Sequence, residues 1–136
     1  MPLEIFIDTR EQKPIRFDCS LFIKLDVGDY TTAKHHNKLH LERKSPGDLY
    51  GTLLGGHTRF RKELKRAAAN GTRLIMIIEC TKAKFIAKEW RGADHCQVNG
   101  VILGKIIATM EKRYKLKFIW CKNRIDMKQT ILRLLK

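Results

Sequence analysis

The chain has 136 residues, with 28 Lys and Arg against 14 Asp and Glu, for a formal net charge of +14. That length fits one domain with a single core (1–136), and an apolar share of 43 % argues against disorder. The longest apolar stretch, Leu74 to Ile78, is too short to cross a bilayer, and Met1-Pro2-Leu3-Glu4 leads into no signal pattern. An intracellular protein with no membrane partner is expected, cytoplasmic, or nuclear in a eukaryote, and not secreted. The positive charge is spread through a patterned chain, which points to a folded face for a polyanion and not to a disordered arm. Cys19, Cys80, Cys96 and Cys121 show no CxxC spacing, so reduced thiols are expected in place of a zinc ribbon or a disulfide framework.

In chain order, Leu3 to Asp8 reads as a buried strand ending in an acid. Leu21 to Val27 is a second apolar run, closed by Gly28-Asp29. Tyr30 to Ala33 and Lys38 to Lys44 alternate with period two around a polar tip, the pattern of a hairpin. Ser45-Pro46 ends the sheet and opens a short helix, serine as cap and proline at the first helical position. Gly55-Gly56 breaks that helix, and His57 to Ala69 reads as a basic helix ended by Asn70-Gly71. Arg73 to Glu79 is almost wholly apolar, as a central strand requires. Val98 to Tyr114 carries a wide helical stripe through Val98, Ile102, Ile106 and Met110, with Leu103 and Ile107 beside it. Leu116 to Cys121 is a last strand and Asp126 to Leu135 a last helix. Residues 80–97 give no clear pattern. The order predicts an α/β domain with a central mixed β-sheet flanked by helices.

The hairpin places chemistry. With its tip between His35 and His36, cross-strand partners have numbers summing to 71, so Asp29 lies opposite Glu42, Cβ atoms about 4.5–5.5 Å apart. Like charges at that distance repel, and a divalent cation between them is the simplest compensation. Glu42 and Lys44, two apart on one strand, share a face, while Leu39, Leu41 and Arg43 take the other. Two acids and a lysine on one face suit phosphodiester hydrolysis: carboxylates hold Mg²⁺, and the lysine offers charge or a proton near the attacking water. Taken singly, Glu42-Arg43-Lys44 is an ordinary strand end, Gly28-Asp29 an ordinary turn and Asp8 a loop cap. Their joint occurrence on one sheet edge is what carries the reading.

These residues resemble the signature of the XPF-type (Hef-like) structure-specific endonucleases. Gly28-Asp29-Tyr30 is followed by Glu42-Arg43-Lys44 and then Asp48, four residues after the lysine. Ile7-Asp8-Thr9-Arg10-Glu11 is similar to the family's entry strand, and Arg59-Phe60 to its helix start. The likeness runs through the helix–strand–helix rhythm of Val101 to Lys136. It implies a restriction-endonuclease-like fold and a DNA endonuclease of repair or recombination, dependent on Mg²⁺ or Mn²⁺. Asp29 and Glu42 would be metal ligands, Asp8 a further acid at the metal, and Lys44 catalytic, with Arg43 inside the same motif. Glu11, Asp48 and Arg59 would support them. Thr58 stands where the family has glycine, and Glu63 where it has glutamine. No tandem helix-hairpin-helix domain follows, so an accessory protein is expected to share the grip on branched or flapped duplex DNA. The 98–136 region is expected to pair two copies.

Arg59, Arg61, Lys62, Lys65 and Arg66 cluster on the basic helix and are expected to meet DNA phosphates. His35, His36 and His40 read as a solvated hairpin tip, without the thiolates of a zinc site. Gly92 to Cys96 suggests no mechanism. Two rivals share the composition: a non-catalytic nucleic-acid-binding module that keeps the fold, and a basic ribosomal or packaging protein in which the paired acids are accidental.

Overall fold

A computed structural model describes residues 2–136. Six strands form one mixed sheet in the order β2-β1-β3-β4-β5-β6. They are β1 (Ile5–Asp8), β2 (Ser20–Ile23), β3 (Tyr30–Thr31), β4 (Leu39–Lys44), β5 (Arg73–Ile78) and β6 (Lys117–Trp120). β1 runs parallel to β2, β3 is antiparallel to both β1 and β4, and β4, β5 and β6 are mutually parallel. Five helices cover the faces: α1 (Pro46–Leu53), α2 (His57–Ala69), α3 (Lys82–Ile86), α4 (Gly100–Tyr114) and α5 (Arg124–Leu135).

Side chains alternate along each strand, so the sheet separates two cores. Met76 and Ile78 of β5 pack with Leu49, Phe60, Leu103 and Ile107 from α1, α2 and α4. Ile75 and Ile77 pack on the opposite face with Ile7, Leu41, Met127 and Ile131, under α5. β5 is apolar on both sides because both sides are covered.

Most helix starts follow the side-chain chemistry of the cap. Ser45 Oγ accepts from Asp48 N at 3.1 Å, with Pro46 opening α1. Asn99 and Asn123 cap α4 and α5 in the same way, through the amides of Ile102 and Asp126. Two departures from expectation stand out. The unreadable stretch contains α3, one turn capped by Thr81, which buries Phe85 alone of its residues. In α4 the core line is Leu103, Ile107 and Met110, while Val101 and Ile102 are 68 % and 46 % exposed. Among the described residues no helix is long and apolar enough to cross a membrane.

Candidate active site

The β3–β4 register pairs Tyr30 with Leu41, so partner numbers sum to 71 as the hairpin pattern predicts. Asp29 therefore enters the sheet beside Glu42. Its backbone is tied on both sides: Asp8 N donates to Asp29 O and Asp29 N donates to Leu41 O, both at 2.8 Å. Arg43 N donates to Asp29 Oδ2 at 2.8 Å and fixes the carboxylate. Gly28 makes this approach possible. Its φ is +74°, and an added Cβ would lie 3.1 Å from His40 Cβ and 3.2 Å from Leu41 O.

In the parallel β4–β5 ladder Glu42 is level with Met76, Arg43 with Ile77 and Lys44 with Ile78. Glu42 and Lys44 therefore face the α2 side, and Arg43 faces the α5 side. The Glu42 carboxyl is buried and shares a cleft wall with Asp29 and Glu63. Burial, then the charge of Asp29, pushes its pKa well above the ordinary glutamate range. Burial likewise pushes Asp29 up to about 6, partly offset by its bonds with Glu42 and with Arg43 N. Neither acid makes an ion pair among the described residues.

The two acids open onto a cleft of about 480 Å³ whose wall also includes Asp8, Arg10, Lys44, Arg59, Glu63 and Arg66. An adjoining hollow between α1 and α2 shares Lys44, Arg59 and Glu63 and adds Asp48. Acids thus form the floor and arginines the rim.

The expected residues do not all meet there. Asp8 borders the cleft, but its Oδ1 accepts from Leu25 N at 2.8 Å and its Oδ2 from Arg10 Nε at 2.9 Å. Among the described residues no group of three or more His, Cys, Asp or Glu side chains is arranged to hold a metal ion. Glu11 and Arg43 lie on the opposite face, where Arg43 Nε and Nη2 donate to the two Glu11 oxygens at 2.7 and 2.6 Å. Arg43 Nη1 also donates to Glu79 at 2.9 Å, and Arg124 Nη1 donates to the same Glu79 oxygen at 2.6 Å. Of the basic helix, Arg59 and Arg66 reach the cleft, Arg61 and Lys65 line a different hollow, and Lys62 is exposed beside neither. His40 is not solvated: it is fully buried, with Nδ1 2.7 Å from Val27 O and Nε2 accepting from Asn37 N.

Arg10 and Glu63 enter the site without having been picked out for it. Spacing offered one signal for Glu63, since it lies one turn from Arg59 and from Arg66 on the same helix face.

The sheet and its helix cover define the class, a mixed-sheet α/β domain. The chain belongs to the ERCC4 domain family, whose model matches residues 7–134. The fold is shared with XPF from Aeropyrum pernix, at a TM-score of 0.71 and 19 % identity over 97 % of this chain and 59 % of that one. The structure of XPF from Aeropyrum pernix in complex with DNA gives 0.70 and 18 %, over 98 % of this chain and 63 % of that one. The chain thus spans about three-fifths of the length of those structures. No curated protein matches it in sequence.

Proposed function

We propose that the chain is a divalent-metal-dependent DNA endonuclease that hydrolyses phosphodiester bonds in branched or flapped duplex DNA. One observation carries this reading: the half-buried Asp29 and the buried Glu42 share one cleft wall with Lys44, and neither acid makes an ion pair among the described residues. Burying like charges together costs stability unless a ligand repays it. A pair of hard oxygen donors suits Mg²⁺ or Mn²⁺, which complete their shells with waters and substrate phosphate oxygens, so a third protein carboxylate is not required. Bound there, the ion would supply Lewis-acid stabilisation of the charge developing on the phosphate and a lowered pKa for the attacking water.

The chain's own residues do the rest. Asp29 and Glu42 would hold the ion through their carboxylate oxygens, in ionised form. Lys44 offers its ammonium to a phosphate oxygen or to the attacking water. Arg59 and Arg66 meet flanking phosphates from α2. Arg10 neutralises Asp8 and leaves the metal to the other two acids, while Arg43 acts from behind, through the backbone amide that orients Asp29. Pairing of two copies through the 98–136 region fits the exposed Val101 and Ile102 of α4. An accessory protein would share recognition of the branch. The site would work on DNA inside the cell.

The assay compares wild type with Asp29→Asn and Glu42→Gln on flap, fork and linear DNA, with Mg²⁺, Mn²⁺ or EDTA. Cutting is expected with metal in the wild type alone. Survival of cutting in both variants, or its absence with every divalent metal, overturns the reading. The second outcome would select a rival, a binding module that keeps the fold without cleaving.

A further inference from the structure

At the far end of β5 from the acids lies a hollow of about 340 Å³ between the C-terminal half of α2 and the α4–β6 turn. Its floor is apolar: Leu64, Ala67, Leu74 and Leu116, with Tyr114 at one side. Its rim carries Arg61, Lys65, Arg73 and Lys115, and no acid lines it. None of the four cations makes an ion pair among the described residues. Tyr114 is held in place, its hydroxyl 3.2 Å from His57 Nε2.

α2 connects this hollow to the cleft. Arg61, Leu64, Lys65 and Ala68 follow the i, i+3, i+4, i+7 spacing of one helix face, while Arg59, Glu63 and Arg66 on the opposite face line the cleft. Phe60 and Ala67 point inward to the core, and Lys62 is exposed. The helix is thus a basic ridge with a concavity on either side. Its width, about 10–12 Å, is a span that a strand of a few nucleotides can cross.

We propose that the hollow is a binding site for an unpaired nucleotide of a single strand that crosses α2, its base against Tyr114 and the leucine floor and its phosphates on Arg61, Lys65, Arg73 and Lys115. The occupant must be anionic to match the unpaired cations, and it must present a flat apolar face to fill the floor. A nucleotide does both. Duplex DNA offers no exposed base to the floor, so the site discriminates for unpaired strand. A second copy docked here about a two-fold axis would set the same cations against one another. The inference deepens the nuclease reading by naming the part of the substrate that α2 holds, yet it is tested without cleavage.

The probe is a fluorescein-labelled oligothymidine of about 12 nucleotides, titrated into the full chain in EDTA and read by anisotropy, beside a duplex of equal length. Arg73→Ala with Lys115→Ala is expected to weaken single-strand binding about tenfold, to lower its log–log salt slope by about 1.4, at about 0.7 per lost phosphate contact, and to leave duplex binding within twofold. Leu64→Trp, which fills the floor without altering charge, is expected to weaken the oligothymidine alone. An iodouracil-substituted strand should crosslink to Tyr114. Both variants are checked by circular dichroism; should Leu64→Trp unfold, the crosslink and the double variant decide. Equal losses on duplex and single strand, an unchanged salt slope, or crosslinks confined to the cleft would overturn the site. So would preference for an acidic peptide over the oligothymidine. Cleavage of flap DNA by the wild type is assayed separately with Mg²⁺, so failure of the nuclease reading and failure of this site are separately visible.

Discussion

Glu42 and Arg43 are neighbours on β4, yet they live in opposite electrostatic worlds. On the α5 side, Arg43 is sandwiched between Glu11 and Glu79, with Arg124 beyond, and every charge has an opposite partner. Burial works to raise the Glu11 carboxyl, but the Arg43 guanidinium outweighs it and holds that group below the ordinary range. On the α2 side, Glu42 makes no ion pair among the described residues, and burial with the nearby Asp29 charge drives it the other way. The contrast teaches what each face is for. A completed ion-pair network fixes the strand, while an uncompensated pair is the arrangement expected of the proposed cation site.

The largest effect should come from removing the uncompensated charge. Asp29→Asn or Glu42→Gln is expected to drop cleavage to background while raising the melting temperature of the metal-free protein at pH 8. Calorimetry beside the flap assay checks this, and loss of stability in both variants would erase the contrast between the faces. Breaking the other face should do the reverse. Arg43→Met leaves Glu11 buried without its partner, at 4 % side-chain exposure, and should cost about 3–5 kcal/mol in urea unfolding.

A third prediction sets the faces against each other by pH. Asp29 has a folded pKa of about 6 against an ordinary 3.8, so the folded state holds the proton more tightly. Its contribution is therefore fully present below about pH 4 and lost as pH rises through about 6, on the order of 2 kcal/mol. Glu42 has the same sign, and Glu11 the opposite one, with stability lost on acidification. Metal-free unfolding measured with Arg43→Met, which removes the support of Glu11, should show this loss with rising pH more plainly, and saturating Mg²⁺ should remove it. The smallest effect is expected at the network's outer member. Arg124 is 43 % exposed, and Arg124→Ala should cost under about 1 kcal/mol.

Much of this was legible in the residues, for identifiable reasons. The hairpin register followed from alternation around a short polar tip, and Ser45-Pro46 marked the start of α1, because caps and turns are local chemistry. The family signature led to Asp29, Glu42 and Lys44 together. α3 was not legible, since one turn with a single buried residue has no period to detect. The stripe on α4 was read with Ile102 among its core positions because its apolar arc is broader than the face it buries. The partners of Arg43 were also hidden: Glu11 and Glu79 lie 32 and 36 residues away, and a sequence does not announce which distant charges a sheet will bring together. The same holds for Arg10 and Glu63 at the cleft.

β3 is only two residues long, and it is the sole strand between the β2–β1 pair and the β4–β5–β6 slab. Asp29 sits at that narrow seam, bonded through its backbone to both sides. Anything that grips its carboxylate therefore also sutures the two parts of the sheet. On the proposed metal reading, cation loading should slow amide exchange along β1 and β3 more than in the broad slab, making Asp29 a mechanical fastener as well.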